Sequence, residues 1–360
     1  MIKTDKSSTP EPMSMPSARK RWVKRLVFWG KIFVTLLVLG WISYRLYSDW
    51  TEISRYHWKL HYCWLIGAGG FYLTAFFAAA VFWYLSLRWL GQIPTFFQAV
   101  RSYYVSQLGK YIPGKAMVVV IRSGMVAGEK VRAGVAAVAV FYETLTMMSA
   151  GAFISALIVL LWFREHYFYS LLAIGAMLIV GIPILPPVFV RILKILKIGK
   201  DDTGFQEHLQ RFTFRSILVG MGLMSVLWIL LGGSLWATIL GLGIETGGLL
   251  VHLPRFVSAT ALAIVLGFAV PVSPGGLGIR EAVLSILLIP YFQDILNIPA
   301  NMSFTIQAET LAMLVSLVQR VVTILAELAI VAPLLFFPWL VRMVHSSTVE
   351  QPGESTAEQR

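Results

Sequence analysis

The sequence is punctuated by uninterrupted apolar runs close to the length a helix needs to cross a bilayer. A helix rises about 1.5 Å per residue, so about 20 apolar residues cover a hydrocarbon core of roughly 30 Å. Runs of this kind occupy residues 27–47, 63–87, 133–162, 167–190, 214–242 and 254–272, with a shorter one at 279–291 and a longer one at 305–340. The alternating segments of about 10 residues that a membrane β-barrel requires are not seen. Charged residues make up only 13% of the 360 positions and hydrophobic ones 57%, whereas a soluble domain carries roughly 25% charge. The expected fold class is an all-α polytopic membrane protein with about eight transmembrane helices.

Loop charge tests that count. Seven Lys/Arg precede residue 27, seven lie within 88–132 and six within 191–215. The intervening loops 48–62, 163–166, 244–253 and 292–304 carry two, one, none and none. Basic residues concentrate on the cytoplasmic side, so the alternation predicts eight crossings with both termini cytoplasmic, in the cell (inner) membrane. The net charge of +12 is thereby assigned to orientation and to attraction of anionic lipid, not to nucleic acid. The run 27–47 exceeds a signal-peptide core and is followed by no small-residue cleavage site, so it is expected to stay attached as the first span. The expected organisation is a disordered basic cytoplasmic tail at 1–25, a transmembrane domain at 26–342 and a short disordered tail at 343–360.

The stretch 88–132 breaks the pattern. It is apolar only in pieces, 96–105 and 116–121, neither long enough to cross, and Gly109, Lys110, Tyr111, Ile112, Pro113, Gly114 and Lys115 interrupt it. These pieces are expected to be re-entrant or interfacial. A second break, Pro274, Gly275, Gly276 and Gly278, precedes Arg280 and Glu281. Proline removes a backbone donor and glycine admits conformations closed to other residues, so regular helix stops at both places. The freed backbone groups must be buried in protein or line a watery cavity. Two Gly/Pro-interrupted segments in the two halves of a chain point to a transporter-type site at a repeat interface. Helix N-termini opening after such breaks favour anions, and Lys115, Arg122 and Arg280 make a cradle for a phosphate.

Ionisable residues inside spans are costly and mark candidate sites. Glu143 lies well inside the third span. Glu309, Met313, Ser316, Arg320, Thr323 and Glu327 recur every three or four residues in the last run, along one helical face that must point to protein or a wet groove. Pairing between helices to fix packing is the structural alternative for these charges. Cys63 is the only cysteine, and His57 and His61 sit among Tyr56, Trp58, Tyr62 and Trp64 as an interfacial belt. No metal site or cofactor is expected. The glycines follow no strand and open no βαβ unit, so they form no dinucleotide fingerprint.

The run from Pro274 through Gly275, Gly276, Leu277, Gly278, Ile279, Arg280 and Glu281 to Ala282 closely resembles the signature of the lysylphosphatidylglycerol synthase transmembrane region family, also called flippase-like. Tyr111 to Lys115, with Arg122 seven residues on, is similar to that family's earlier Pro-Gly motif, and Glu143 and Arg320 fall where its intramembrane acid and late arginine are expected. The resemblance extends over roughly residues 25–340. It implies an eight-helix domain with an inverted repeat and re-entrant elements. The best-known members move an aminoacylated phospholipid between leaflets, and others accompany glycosyltransferases that use polyprenyl-phosphate carriers. This chain differs in having no room for a soluble aminoacyl-transfer or sugar-transfer domain. Met117 and Val118 also stand where many relatives carry Gly-Gly-Glu.

The function expected is that of a stand-alone flippase-like protein for a phosphate-bearing lipid, either an aminoacyl-phospholipid or a polyprenyl-phosphate-linked one. Lys115, Arg122, Arg280 and Arg320 would contact the phosphate, and Glu143, Glu281 and Glu327 would balance them or meet a cationic headgroup. Pro113, Gly114, Pro274, Gly275, Gly276 and Gly278 would act as hinges. The expected partners are a membrane lipid and a separate synthase or glycosyltransferase. The rival readings are a membrane enzyme, which would need an Asp-rich metal cluster, and an accessory subunit of such a synthase.

Overall fold

The computed structural model describes residues 59–112, 116–162, 181–195, 213–246, 248–269, 276, 278–295 and 305–349, together with residues 40, 44, 47, 48 and 175. Among them, the elements run α1 (Tyr62–Trp89), α2 (Phe96–Gln107), a 3₁₀ turn (Leu108–Tyr111), α3 (Ala116–Val126), α4 (Ala133–Trp162), a 3₁₀ turn (Ile182–Ile184), α5 (Pro186–Ile195), α6 (Phe214–Gly241), α7 (Leu249–Ala269), α8 (Ile279–Ile295) and α9 (Thr305–Val349). No strand occurs among the described residues, only an isolated bridge between Gly128 and Val131. The protein is an all-α polytopic membrane protein.

Five of the described helices, α1, α4, α6, α7 and α9, are long and apolar enough to cross a membrane. They coincide with five of the expected runs. Most of the run 27–47, most of 167–190 and the tail 1–25 lie outside the described residues. Of 167–190, the described end is not one continuous helix, since a 3₁₀ turn with proline in its first residues stands before α5. The short run at 279–291 is a 17-residue helix, and α9 continues past residue 340 to Val349.

The helices pack by close backbone approach, as expected where lipid tails supply no hydrophobic drive between helices. Helix α6 lies along α1, and Ser234 Oγ donates across to the Ala68 carbonyl at 2.8 Å. On its other side α6 meets α7 at Gly232, where an added Cβ would stand 2.9 Å from the Val257 backbone nitrogen. Trp228 reaches α4, donating to the Met147 carbonyl at 3.0 Å over Gly151. One buried cluster fills the space among α1–α4 and α6, with Trp83, Tyr103, Tyr142 and Trp228 at its centre. A second gathers the C-terminal half of α6 with α7, α8 and α9 around Phe256, Leu288 and Phe292.

Helices α2 and α3 have 12 and 11 residues, about 18 Å and 17 Å at helical rise, too short to span. They pack against each other on either side of the first Pro-Gly break. Thr95 opens α2 with a capping box, its hydroxyl accepting from the Gln98 N–H at 3.2 Å and its own N–H donating to Gln98 Oε1 at 3.1 Å. The hairpin closes because residue 109 is glycine: a Cβ there would stand 2.9 Å from the Val118 backbone nitrogen. Arg101 Nε donates to the Leu334 carbonyl at 2.8 Å and ties the hairpin to α9. Helices α7 and α8 likewise pack together across the second break.

Candidate functional site

The two breaks bring their basic residues to one cavity of about 400 Å³. Gln107, Lys110, Arg122, Glu143, Arg280 and Arg320 are its polar lining residues. Val118, Val119, Phe141, Met148, Ile264 and Phe268 make up the apolar wall between α3, α4 and α7. Phe141 and Phe268 are 55% and 44% exposed, so the apolar side of the cavity opens on the outer face of the bundle.

Arg122 is held by three neighbours. Its Nη1 meets Glu143 Oε2 at 2.8 Å, its Nε donates to Ser106 Oγ at 2.9 Å, and its guanidinium lies 4.0 Å from the Tyr103 ring centroid. Glu143 also accepts from the Tyr103 hydroxyl at 3.2 Å. Both charged side chains are buried. A buried pair is tolerable only when its hydrogen-bonding capacity is met in this way.

Lys110 and Glu327 form a second pair. Glu327 accepts from Lys110, from the Tyr72 hydroxyl and from the Tyr111 hydroxyl, the last at 2.9 Å. The carboxylate on α9 therefore collects donors from α1 and from the 3₁₀ turn, and pins the tip of the hairpin against the bundle.

The third group is built on the second break. Gly276 and Gly278 adopt φ of 72° and 86°, a region that favours glycine, and the Gly276 backbone lies on the cavity wall. The Gly278 N–H donates to Glu281 Oε2 at 2.6 Å. Glu281 is the third residue of α8, so it closes the N-terminus as the acidic arm of a capping box does. Its other oxygen lies 3.5 Å from Arg320 Nε. Arg320 is 6% exposed, yet its Nε and Nη2 make no hydrogen bond. Its guanidinium sits 5.5 Å from the Tyr111 ring centroid. Among the described residues no carboxylate stands within ion-pair distance of Arg280.

Of the residues singled out in the sequence, Arg122, Glu143, Arg280 and Arg320 line the cavity, and Glu281 and Glu327 stand behind it, each against one of its cations. Pro113, Gly114, Lys115, Pro274 and Gly275 lie outside the described residues. The stripe on α9 faces protein: Met313, Ser316, Arg320, Thr323 and Glu327 are all buried, and Glu309 is half-buried. Arg320 and Glu327 share that face without pairing with each other, because each meets an acid or base from another element.

Lys110, Tyr72, Gln107 and Ser106 join the site without having been marked as candidates. Lys110 immediately precedes the Tyr-Ile-Pro-Gly-Lys run, and its position in a broken membrane segment was the available signal. Tyr72 and Ser106 carry none.

Residues 28–300 match the family model described as Lysylphosphatidylglycerol synthase TM region. The matched stretch contains both Pro-Gly breaks, Arg122, Glu143, Arg280 and Glu281, and ends before α9. No curated protein and no solved structure gives a significant match to the chain.

Proposed function

The chain belongs to the lysylphosphatidylglycerol synthase transmembrane region family, and from that premise we propose that it moves a phosphate-bearing lipid between the leaflets of the inner membrane, with both termini cytoplasmic. The observation that carries this reading is Arg320: a buried guanidinium with two unbonded nitrogens, beside an Arg280 with no described carboxylate within ion-pair distance, on the wall of a cavity whose other side is apolar. Unmet donors on a buried cation are expensive, and a phosphate oxygen is the acceptor that a planar guanidinium fits best. Phe141 and Phe268 would guide the chains of the lipid, which stay in the surrounding hydrocarbon while the headgroup enters. Moving a charged headgroup through hydrocarbon unaided is slow because the charge is costly there. The loop-charge alternation supports the orientation. A separate synthase or glycosyltransferase would supply the lipid.

The test is leaflet-resolved labelling of a fluorescent anionic phospholipid in liposomes with and without the purified protein. Wild-type protein should accelerate its movement, and Arg280→Ala should reduce that rate about tenfold to 100-fold, which corresponds to about 1.4–2.8 kcal/mol. Arg280→Lys should rescue only partly, since a point charge replaces a planar fork. An Arg280→Ala protein that moves lipid at the wild-type rate removes this cavity from the mechanism.

A further inference from the structure

The cavity's described carboxylates, and the aromatic faces beside them, are occupied by the protein's own groups. Glu143 is held by Arg122 and Tyr103. Glu327 is held by Tyr72, Lys110 and Tyr111. Glu281 is held by the Gly278 N–H and faces Arg320. The two break segments outside the described residues, 113–115 and 270–275, contain no Asp or Glu. The aromatic faces beside these carboxylates are taken as well, Tyr103 by Arg122 at 4.0 Å and Phe76 by Lys110 at 5.9 Å. An ammonium group entering here finds, among the described residues, no carboxylate without a partner.

Charge counting points the same way. Among the described residues Lys110, Arg122, Arg280 and Arg320 stand against Glu143, Glu281 and Glu327, four cations to three anions, which leaves one positive charge. A single phosphodiester neutralises it, whereas a headgroup amine restores the excess in a site partly removed from water, where an unpaired charge is costly. One polar group on the wall is uncharged and unused. Gln107 is 8% exposed, lines the cavity between Tyr103 and Lys110 on α2, and makes no side-chain hydrogen bond among the described residues. Its amide offers both donors and an acceptor, which is what hydroxyl groups require.

We infer that the cavity takes a lipid phosphodiester with a neutral, hydroxyl-bearing headgroup, read by Gln107, and rejects headgroups that carry an amine. This rests on the reading of Arg280 and Arg320 as the phosphate site. It separates this chain from carriers of aminoacylated lipid within the same fold.

The experiment is a titration of the purified full-length protein in detergent, followed by tryptophan fluorescence. The probes are short-chain phosphatidylglycerol, phosphatidylethanolamine and lysyl-phosphatidylglycerol, with tail-less glycerophosphoglycerol as the free-headgroup control. Phosphatidylglycerol should bind tightest, and the two amine lipids about tenfold or more weaker, a difference of about 1.4 kcal/mol or more. Gln107→Glu supplies the missing carboxylate and should strengthen binding of the amine lipids at the expense of phosphatidylglycerol. Amine lipids that bind wild-type protein as tightly as phosphatidylglycerol overturn the inference and leave the phosphate reading standing. A Gln107→Glu protein with unchanged preferences removes Gln107 from headgroup recognition and overturns its assignment. Tail-less headgroup that binds as tightly as the lipid overturns the lipid assignment. Phosphatidylglycerol binding that is indifferent to Arg280→Ala overturns the phosphate reading itself.

Discussion

Two buried arginines line the cavity, each opposite a glutamate, and they differ in what the arginine still has to offer. Arg122 meets Glu143 at 2.8 Å, donates to Ser106 and lies against Tyr103. Arg320 meets Glu281 only at 3.5 Å, and its Nε and Nη2 are unbonded. Glu281 is committed elsewhere, since its second oxygen holds the Gly278 N–H at the start of α8. The first pair is self-sufficient and therefore structural in character. The second leaves donors that an anion can fill. A basic residue in a membrane span is thus a weak indicator of a binding site until its partners are known, and an unmet donor is a stronger one.

The comparison breaks most visibly in stability. Arg122→Met leaves Glu143 buried with only hydroxyl donors, so unfolding in detergent should become easier by about 3–5 kcal/mol. The double change Arg122→Met with Glu143→Leu should recover most of that loss, because neither charge is then stranded. Arg280→Met should cost less than Arg122→Met, since no described carboxylate lies within ion-pair distance of Arg280 and none loses a hydrogen bond. If the two single variants melt alike, the two arginines are not different in kind.

A smaller effect tests which residues are paired. Arg320→Met with Glu327→Leu removes two charges from one helix face but strands Lys110 and Glu281 on other elements. It should lower stability by about 2–3 kcal/mol. Lys110→Met with Glu327→Leu removes a true pair and strands no charge, only the Tyr72 and Tyr111 hydroxyls, so it should lower stability less. Equal melting temperatures for the two double variants would mean that Lys110 and Glu327 are not bonded to each other.

How much of this was legible follows from the kind of signal each residue leaves. Arg280 and Glu281 stood out because a Pro-Gly-Gly break precedes them, and Arg320 and Glu327 because spacing of three and four residues puts them on one helix face. Periodicity fixes a residue's face but not its partner, which depends on how two helices are set along each other. For that reason the pairing of Arg320 with Glu281, and of Glu327 with Lys110, was not readable. Gln319 shows the same limit within α9. It lies beside the stripe, and its amide bonds Ser234 and Thr238 on α6, yet an amide in an apolar run gives no hint of its neighbour. Tyr72 was hidden differently, as one aromatic among many in α1. Helix extents were read well wherever apolar length decided them, as in α1, α4 and α6.

Gly109 tests the hairpin that carries Lys110 to the site. Gly109→Ala places a methyl group 2.9 Å from the Val118 backbone nitrogen, so α2 and α3 must move apart, at a cost of about 1–3 kcal/mol. The strain acts at the tip and should loosen Lys110 from Glu327 before it unfolds the bundle. Hydrogen exchange of the amides in 108–112 should rise while those of α6 stay protected. Uniform exchange across both would show that the hairpin is not a separate unit.

The smallest predicted effect separates the two roles of Tyr111. Its hydroxyl donates to Glu327 Oε2 at 2.9 Å, and its ring lies 5.5 Å from the Arg320 guanidinium. Tyr111→Phe removes the hydroxyl and keeps the ring. Glu327 retains Lys110 and Tyr72, so the loss should be that of one hydrogen bond, about 0.5–1.5 kcal/mol. Tyr111→Leu also removes the aromatic face beside Arg320. If that face helps to hold the cation in place while its donors wait for an anion, Tyr111→Leu should weaken binding of short-chain phosphatidylglycerol several-fold beyond Tyr111→Phe, as expected for a cation–π contact of about 0.5–2 kcal/mol. The Phe variant should bind nearly as wild type does. Equal affinity for the two variants would place the ring outside the anion site and leave Glu327 as the sole reason for an aromatic residue at that position.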